Sequence, residues 1–386
     1  MKASAESPFP TYEQELLLTA SLLDDKRAIN AIEEWLTLVD LDGVIDHGSF
    51  RLLPLLFKNL LKQNYKGPRM NMLKGVYRLS WYKNQKLLYD SIKVLDLFQK
   101  ANISTIVLKG VALSSLIYKD IGVRPMFDLD ILVPINQAKQ AIEVLKKEDW
   151  KPEFDEYLDY NLKFGKSMNF TDDSGFECDL HWHPFFESHD LNSETDFWDK
   201  AIPIKVIETG TLSLCPTDML LHTFVHGIKW NKEPPIRWVA EAYFLIKSEE
   251  FDIDWEGFIL QVKKYKVVMQ VKEALEYLVK VFGANIPFEV INELSKIKIT
   301  LAEKLVYKEC QKDSDDYTDK LFTKLYKLFI IYLHQSNKTN IFMHIIGFIG
   351  YLCFRTKGKD YFRILIYYFT KSFGKSIKSQ NDIEKQ

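Results

Sequence analysis

The sequence predicts an α+β protein: a small mixed-sheet core flanked by an N-terminal and a C-terminal helical region. Three observations carry this. Apolar residues recur at helical spacing over 11–100 and again from Thr217, whereas short β-branched and alternating runs fill 103–182. Hydrophobic residues make up 47% and aromatic residues 14% of 386 residues, enough to bury more than one sizeable core. Cys occurs only at 178, 215, 310 and 353, with no C-x-x-C spacing, which excludes a disulfide scaffold and a zinc knuckle.

The helical stretches come in order. TYEQELLLTASLL carries an apolar stripe, Lys26 to Val39 follows, and a third stretch runs from Ser49 to Gln63. Gly67-Pro68 punctuates the chain before a long pattern over Met70–Gln99, in which Leu73, Tyr77, Trp81, Leu88, Ile92 and Leu95 recur at three or four residues. Residues 1–100 thus read as an N-terminal helical region.

The period changes at Ile103. ISTIVL (103–108) reads as a strand, KGVALSSLIY as a glycine turn feeding a helix, and FDLDILV (127–133) as a second strand. A helix starts at Pro134 and Asn136. Two further strands, Phe164–Phe170 and Phe176–Trp182, are joined by the turn TDDSG. This places an α/β core at 101–215. A helical domain follows at 216–370, with DMLLHTFVHGIKW, PPIRWVAEAYFLIKS and one long segment from Asp254 to Gly283, and then a polar basic tail at 371–386.

Net charge is -2, but 321–386 holds 11 Lys and Arg against 3 Asp and Glu. A basic end on an acidic body points to an anionic partner surface, while the acidic body makes long nucleic acid the less favoured partner. No apolar stretch with a cleavage site opens the chain, so a cytoplasmic location is expected. The longest apolar run, Ile341–Phe354, has 14 residues, short of the ~20 that span a bilayer. A buried helix or a peripheral membrane contact through 341–371 both fit it.

The chemistry concentrates in VLKGVALSSLIYKDIGVRPMFDLDILV (107–133). Alternate strand residues share a face, so Asp128 and Asp130 present two carboxylates together, while Phe127, Leu129 and Ile131 point the other way. Adjacent carboxylates repel unless a cation lies between them, and hard oxygens suit Mg²⁺. A third acid would come from Glu177 or Asp179, brought alongside by antiparallel pairing of 176–182 with 127–133. Gly110, just after a strand, would let backbone amides approach a phosphate, with Lys109 and Arg124 neutralising its oxygens. His181, His183, His222 and His226 read as packing or substrate contacts rather than zinc ligands, and Trp182, Trp230 and Trp238 as core.

The order strand, glycine turn, helix, Asp-x-Asp strand and later acidic strand resembles the polymerase-beta-like nucleotidyltransferase superfamily. Lys109-Gly110, Arg124-x-x-x-Asp128-x-Asp130 and Asp179-Leu180-His181-Trp182 are similar, residue by residue, to the motifs of its uncharacterised NTP_transf_5 family. His222, His226, Arg237, Trp238 and Glu241 resemble that family's helical motif. The Gly-Gly or Gly-Ser pair usual in the superfamily is replaced by Gly110-Val111-Ala112, so a phosphate-binding hydroxyl would come from Ser114 or Ser115 or be absent.

The resemblance favours Asp179 as the third acid and implies two Mg²⁺ ions on Asp128, Asp130 and Asp179. It also implies an NTP held by Lys109, Gly110, Ala112, Ser114, Ser115 and Arg124. The expected activity is transfer of NMP to an unidentified hydroxyl acceptor (small molecule, protein or RNA) with release of pyrophosphate, Asp130 or Asp179 taking the acceptor's proton. A phosphotransferase and a non-catalytic nucleotide- or partner-binding module are the alternatives.

Overall fold

A computed structural model describes residues 9–153, 158–185, 194–228, 235–310, 321–335, 347–349 and 351–352. The N-terminal part is helical: α1 (Tyr12–Leu22), α2 (Lys26–Leu38), α3 (His47–Phe50), α4 (Leu53–Lys62) and the long α5 (Met70–Lys100). Side chains stop the first two from fraying. Thr11 and Gln14 form a reciprocal capping box on α1, and Asp25 caps α2 by accepting from the Arg27 amide at 2.8 Å. The stretch expected as one helix over 49–63 is two, α3 and α4, because Arg51 and Leu52 form the turn between them and Pro54 opens the second.

The core contains β1 (Ile106–Val107), α6 (Lys109–Leu113), β2 (Asp128–Leu132), α7 (Ile135–Lys147), β3 (Lys151–Pro152), α8 (Leu158–Phe164), β4 (Ser167–Thr171), β5 (Glu177–His181), α9 (Thr195–Asp199), β6 (Ile202–Val206) and β7 (Thr209–Ser213). The strands form one mixed sheet in the order β3-β4-β5-β2-β1-β7-β6. Leu129, Ile131, Cys178 and Leu180 point to one face of its centre and are fully buried. A π-helical turn, Ser114–Tyr118, continues α6.

Two sequence expectations are corrected here. β5 pairs with β2 in parallel, not antiparallel. The reason is the hairpin: β4 and β5 are antiparallel across the 172–176 turn, and β5 is the arm that lies against β2. Phe164 closes α8 instead of opening a strand. The β6–β7 hairpin was not foreseen. It turns tightly through Ile207 and Glu208, with Ile207 at φ +56°, and β7 docks parallel to β1.

The C-terminal part comprises α10 (Pro216–Gly227), α11 (Arg237–Lys247), α12 (Trp255–Lys264), α13 (Val268–Phe282), α14 (Phe288–Lys296), α15 (Leu301–Cys310) and α16 (Leu321–Gln335). The single segment expected over 254–283 is broken at Tyr265–Val267. Lys266 is left-handed there (φ +56°), and the Tyr265 ring turns inward against Phe185 and Phe197. One apolar core runs from Leu17 through the sheet to Tyr307, and Trp182 and Trp238 belong to it. Among the described residues, no helix is long and apolar enough to cross a membrane. Trp230, the basic tail and most of the 341–371 segment lie outside the described residues.

Candidate active site

The parallel register decides which acids meet. Asp128 lies opposite Glu177, Asp130 opposite Asp179, and Leu132 opposite His181. Partners in register point to the same side of a sheet, so Asp128, Asp130, Glu177, Asp179 and His181 share one face. Burial then sorts them. Glu177 is exposed at the end of the row, Asp128 and Asp179 are half-buried, and Asp130 and His181 are buried. Asp130, Asp179 and His181 each offer a ligand atom, and these atoms all lie within 4.8 Å of one another. The His181 Nε2 is 2.8 Å from Asp179 Oδ2 and 3.1 Å from Asp130 Oδ1.

Lys109 completes the cluster. It is the first residue of α6, left-handed at φ +44°, and its ammonium pairs with Asp130. Burial alone would raise the Asp130 pKa, but Lys109 and the His181 hydrogen bond hold the carboxyl well below its usual range. Asp179 is likewise held down, to about 2, by His181 against the effect of burial. Asp128 moves the other way: burial and the neighbouring Asp130 carboxylate raise it. Burial opposes the charge on Lys109, and the facing Asp130 and Asp179 more than restore it.

The loop between the π turn and β2 delivers Arg124. Asn84, fully buried on α5, clamps it with three hydrogen bonds. Its Nδ2 donates to the Ile121 carbonyl and, at 2.8 Å, to the Arg124 carbonyl, while its Oδ1 accepts from the Met126 amide at 3.0 Å. Asp120 pins the start of the loop, accepting from Tyr77 Oη and the Gly122 amide at 2.9 Å and pairing with Lys58 at 2.8 Å. Arg124 does not face the Asp cluster. Its Nε donates to Glu241 Oε1 at 2.9 Å, and Arg237 Nε reaches the same oxygen at 3.2 Å.

The glycine and hydroxyls divide. A Cβ on Gly110 would lie 2.7 Å from Arg124 Nη1 and 3.1 Å from Met126 Cγ, so glycine is needed here for the arginine to pass. Ala112 lines the adjacent cavity. The Ser115 hydroxyl donates to the Val111 carbonyl at 3.0 Å, and the buried Ser114 hydroxyl has no hydrogen-bond partner among the described residues; neither side chain lines the cavity.

That cavity, of about 520 Å³, lies between α6, the α3–α4 turn, α10 and α11. Its wall carries Arg51, Lys109, Arg124 and Arg237 against one carboxylate, Glu241. His222 and His226 pack against each other on another side, ring centroids 4.4 Å apart and planes tilted by 40°. Burial, with Lys109 and His181 nearby, keeps His222 neutral, and its Nε2 has no partner among the described residues. The four histidines do not meet as one group, since His183 pairs with Glu194.

Asp128, Asp130 and Asp179 share one face; His181, read from the sequence as a packing or substrate contact, joins the acids, and the sequence does not single out Arg51. His181 carries a signal, its i+2 spacing from Asp179. Arg51 carries none, since only the fold brings α3–α4 to the cavity.

The donor set fits a divalent cation. Two ionised carboxylates and an imidazole converge, with Asp128 one register step along the same strand. Among curated proteins no match was found. A solved structure, an antigenic nucleotidyltransferase-like protein from Paracoccidioides brasiliensis, is 13% identical. The similarity covers 59% of this chain and 94% of that chain at a TM-score of 0.30, an overlap too low to argue from. The family model described as "Uncharacterised nucleotidyltransferase" (NTP_transf_5) matches residues 49–283, a span that includes α4 and α5, the sheet and the helices through α13. The chain belongs to this family, within the polymerase-beta-like nucleotidyltransferase superfamily.

Proposed function

We propose that the protein transfers a nucleoside monophosphate from an NTP to a hydroxyl acceptor, releasing pyrophosphate. One observation carries the reading: Asp130 and Asp179 sit in register on one sheet face, next to a cavity whose wall is rich in cations. Asp128, Asp130 and Asp179 would hold Mg²⁺. When bound, the metal supplies Lewis-acid polarisation of the phosphate and lowers the pKa of a bound hydroxyl.

The chain's own groups do the rest. Asp130 and Asp179 are kept ionised, as cation ligands must be. The acceptor's proton passes to one of the acids on this sheet face, Asp130 or Asp179. Lys109, at the edge of both cluster and cavity, would neutralise a phosphate oxygen. The acceptor oxygen bonds to the α-phosphorus as the bond from that phosphorus to the bridging oxygen breaks, and pyrophosphate leaves with that oxygen.

A second reading has its own observation. Lys109 already supplies a cation to Asp130, as a binding module without metal would arrange. The two separate in one experiment with Mg²⁺ and NTP labelled at the α- or the γ-phosphate, with cell lysate as acceptor source. The enzyme moves the α-label to an acceptor. Transfer of the γ-label alone would make it a phosphotransferase, and absence of both transfer and Mg²⁺-dependent NTP binding would leave the module.

A further inference from the structure

Arg51, Arg124 and Arg237 come from three distant stretches of chain: the α3–α4 turn, the loop before β2 and the start of α11. All three line the same cavity. Glu241 accepts from Arg124 and pairs with Arg237 through the same oxygen, and Arg237 Nη1 donates to the Pro125 carbonyl at 3.0 Å. Arg51 has no carboxylate partner among the described residues. Its guanidinium lies over the Phe127 ring, 4.7 Å from the centroid, and its Nε is buried with nothing to donate to.

Gathering three guanidinium groups around one carboxylate is unfavourable. Burial and mutual repulsion push Arg237 down to about 10 and lower Arg51 as well. Buried or half-buried donors without acceptors cost stability unless a ligand supplies the acceptors. Planar guanidinium forks match phosphate oxygens two at a time.

We propose that Arg51, Arg124 and Arg237 form a clamp for a polyphosphate group, with Glu241 and Phe127 as positioning residues that hold the forks apart and aimed into the cavity. Naming the source of that group, the NTP tail or a phosphorylated acceptor, rests on the nucleotidyltransferase reading; the clamp itself does not. Arg51 is the member that the ligand completes, because its Nε awaits an acceptor. Phe127 stacks on its guanidinium and immediately precedes Asp128, which ties the clamp to the strand bearing the acids.

The test uses the full chain, inorganic tripolyphosphate and no divalent metal, read by titration calorimetry. Wild type is expected to bind. Arg51→Gln should weaken binding tenfold or more. Arg51→Lys should fall between them, because it keeps the charge and loses the fork. Equal affinity in wild type and Arg51→Gln, or no binding by wild type, overturns the clamp. A second arm adds a non-hydrolysable NTP: mutual exclusion with tripolyphosphate assigns the clamp to the NTP tail, and simultaneous binding assigns it to a phosphate on the acceptor. Tripolyphosphate binding that depends on Arg51 in a protein without nucleotidyl transfer would remove the reaction and keep the clamp.

Discussion

Lys109 is the residue on which the resting site turns. It is half-buried beside the buried Asp130 and the half-buried Asp179, and its charge compensates theirs. Removing one partner of a buried pair leaves an uncompensated charge, at a cost of about 3–5 kcal/mol. Lys109→Met should therefore lower the melting temperature in chelator, and millimolar Mg²⁺ or Mn²⁺ should recover much of the loss by occupying the acids. Thermal melts with and without metal check this; a variant that ignores metal would place the cation site elsewhere.

The same acids set an acid limit. Asp130 and Asp179 titrate below their unfolded values, so their contribution to stability is complete above about pH 4. It is lost as pH falls toward 2, where the folded Asp179 takes up its proton. Wild type should lose stability through that window more steeply than Asp179→Asn, as read by denaturant titration across pH.

At the scale of elements, α5 does more than cover the sheet. Its Asn84 supplies three hydrogen bonds to the loop that carries Arg124, and Tyr77, two turns earlier on the same face of the helix, bonds to Asp120. Asn84→Ala leaves the Ile121 and Arg124 carbonyls and the Met126 amide without partners. It should cost about 2–4 kcal/mol, with faster amide exchange over 119–127, measurable by hydrogen exchange. Unchanged exchange in that loop would show that Asp120 alone holds it.

Much of this scale was legible in the sequence. The α2, α5, α7 and α10 segments follow their apolar periodicity closely, and the Asp-x-Asp strand follows from alternation. The direction of β5 was not, because strand pairing is a choice between long-range partners that no local pattern encodes; only the hairpin turn at 172–176 hinted at it. The β6–β7 hairpin escaped because Pro203 and the polar TGTLS run mute the strand signal. Alternation puts Phe127 with Leu129 and Ile131 on the face opposite the acids, yet β2 begins one residue later and its ring is half exposed under Arg51.

At the scale of the whole molecule, the site is a joint product of the three regions. The sheet supplies Asp128, Asp130, Asp179 and His181, the N-terminal helices supply Arg51 and the Asn84 clamp, and the C-terminal helices supply Arg237, Glu241 and the histidine pair. Contacts outside the site join the ends as well: the Tyr277 hydroxyl donates to Glu15 at 3.0 Å, and Phe9 packs edge-on against Trp238. A continuous core from Leu17 to Tyr307 implies that these regions melt together. The proposed transfer should accordingly depend on helices from both flanking regions as well as on the sheet.

The most direct test is metal-dependent pyrophosphate release from NTP, with acceptor supplied from lysate, compared among wild type, Asp130→Asn and Glu177→Gln. Release is expected from wild type and from Glu177→Gln, whose carboxylate lies outside the cluster, with a loss of at least 100-fold in Asp130→Asn, in line with the ~10²–10³ cost of removing one electrostatic stabiliser from an active site. Release by Asp130→Asn at the wild-type rate, or its loss in Glu177→Gln alone, would contradict the proposed site.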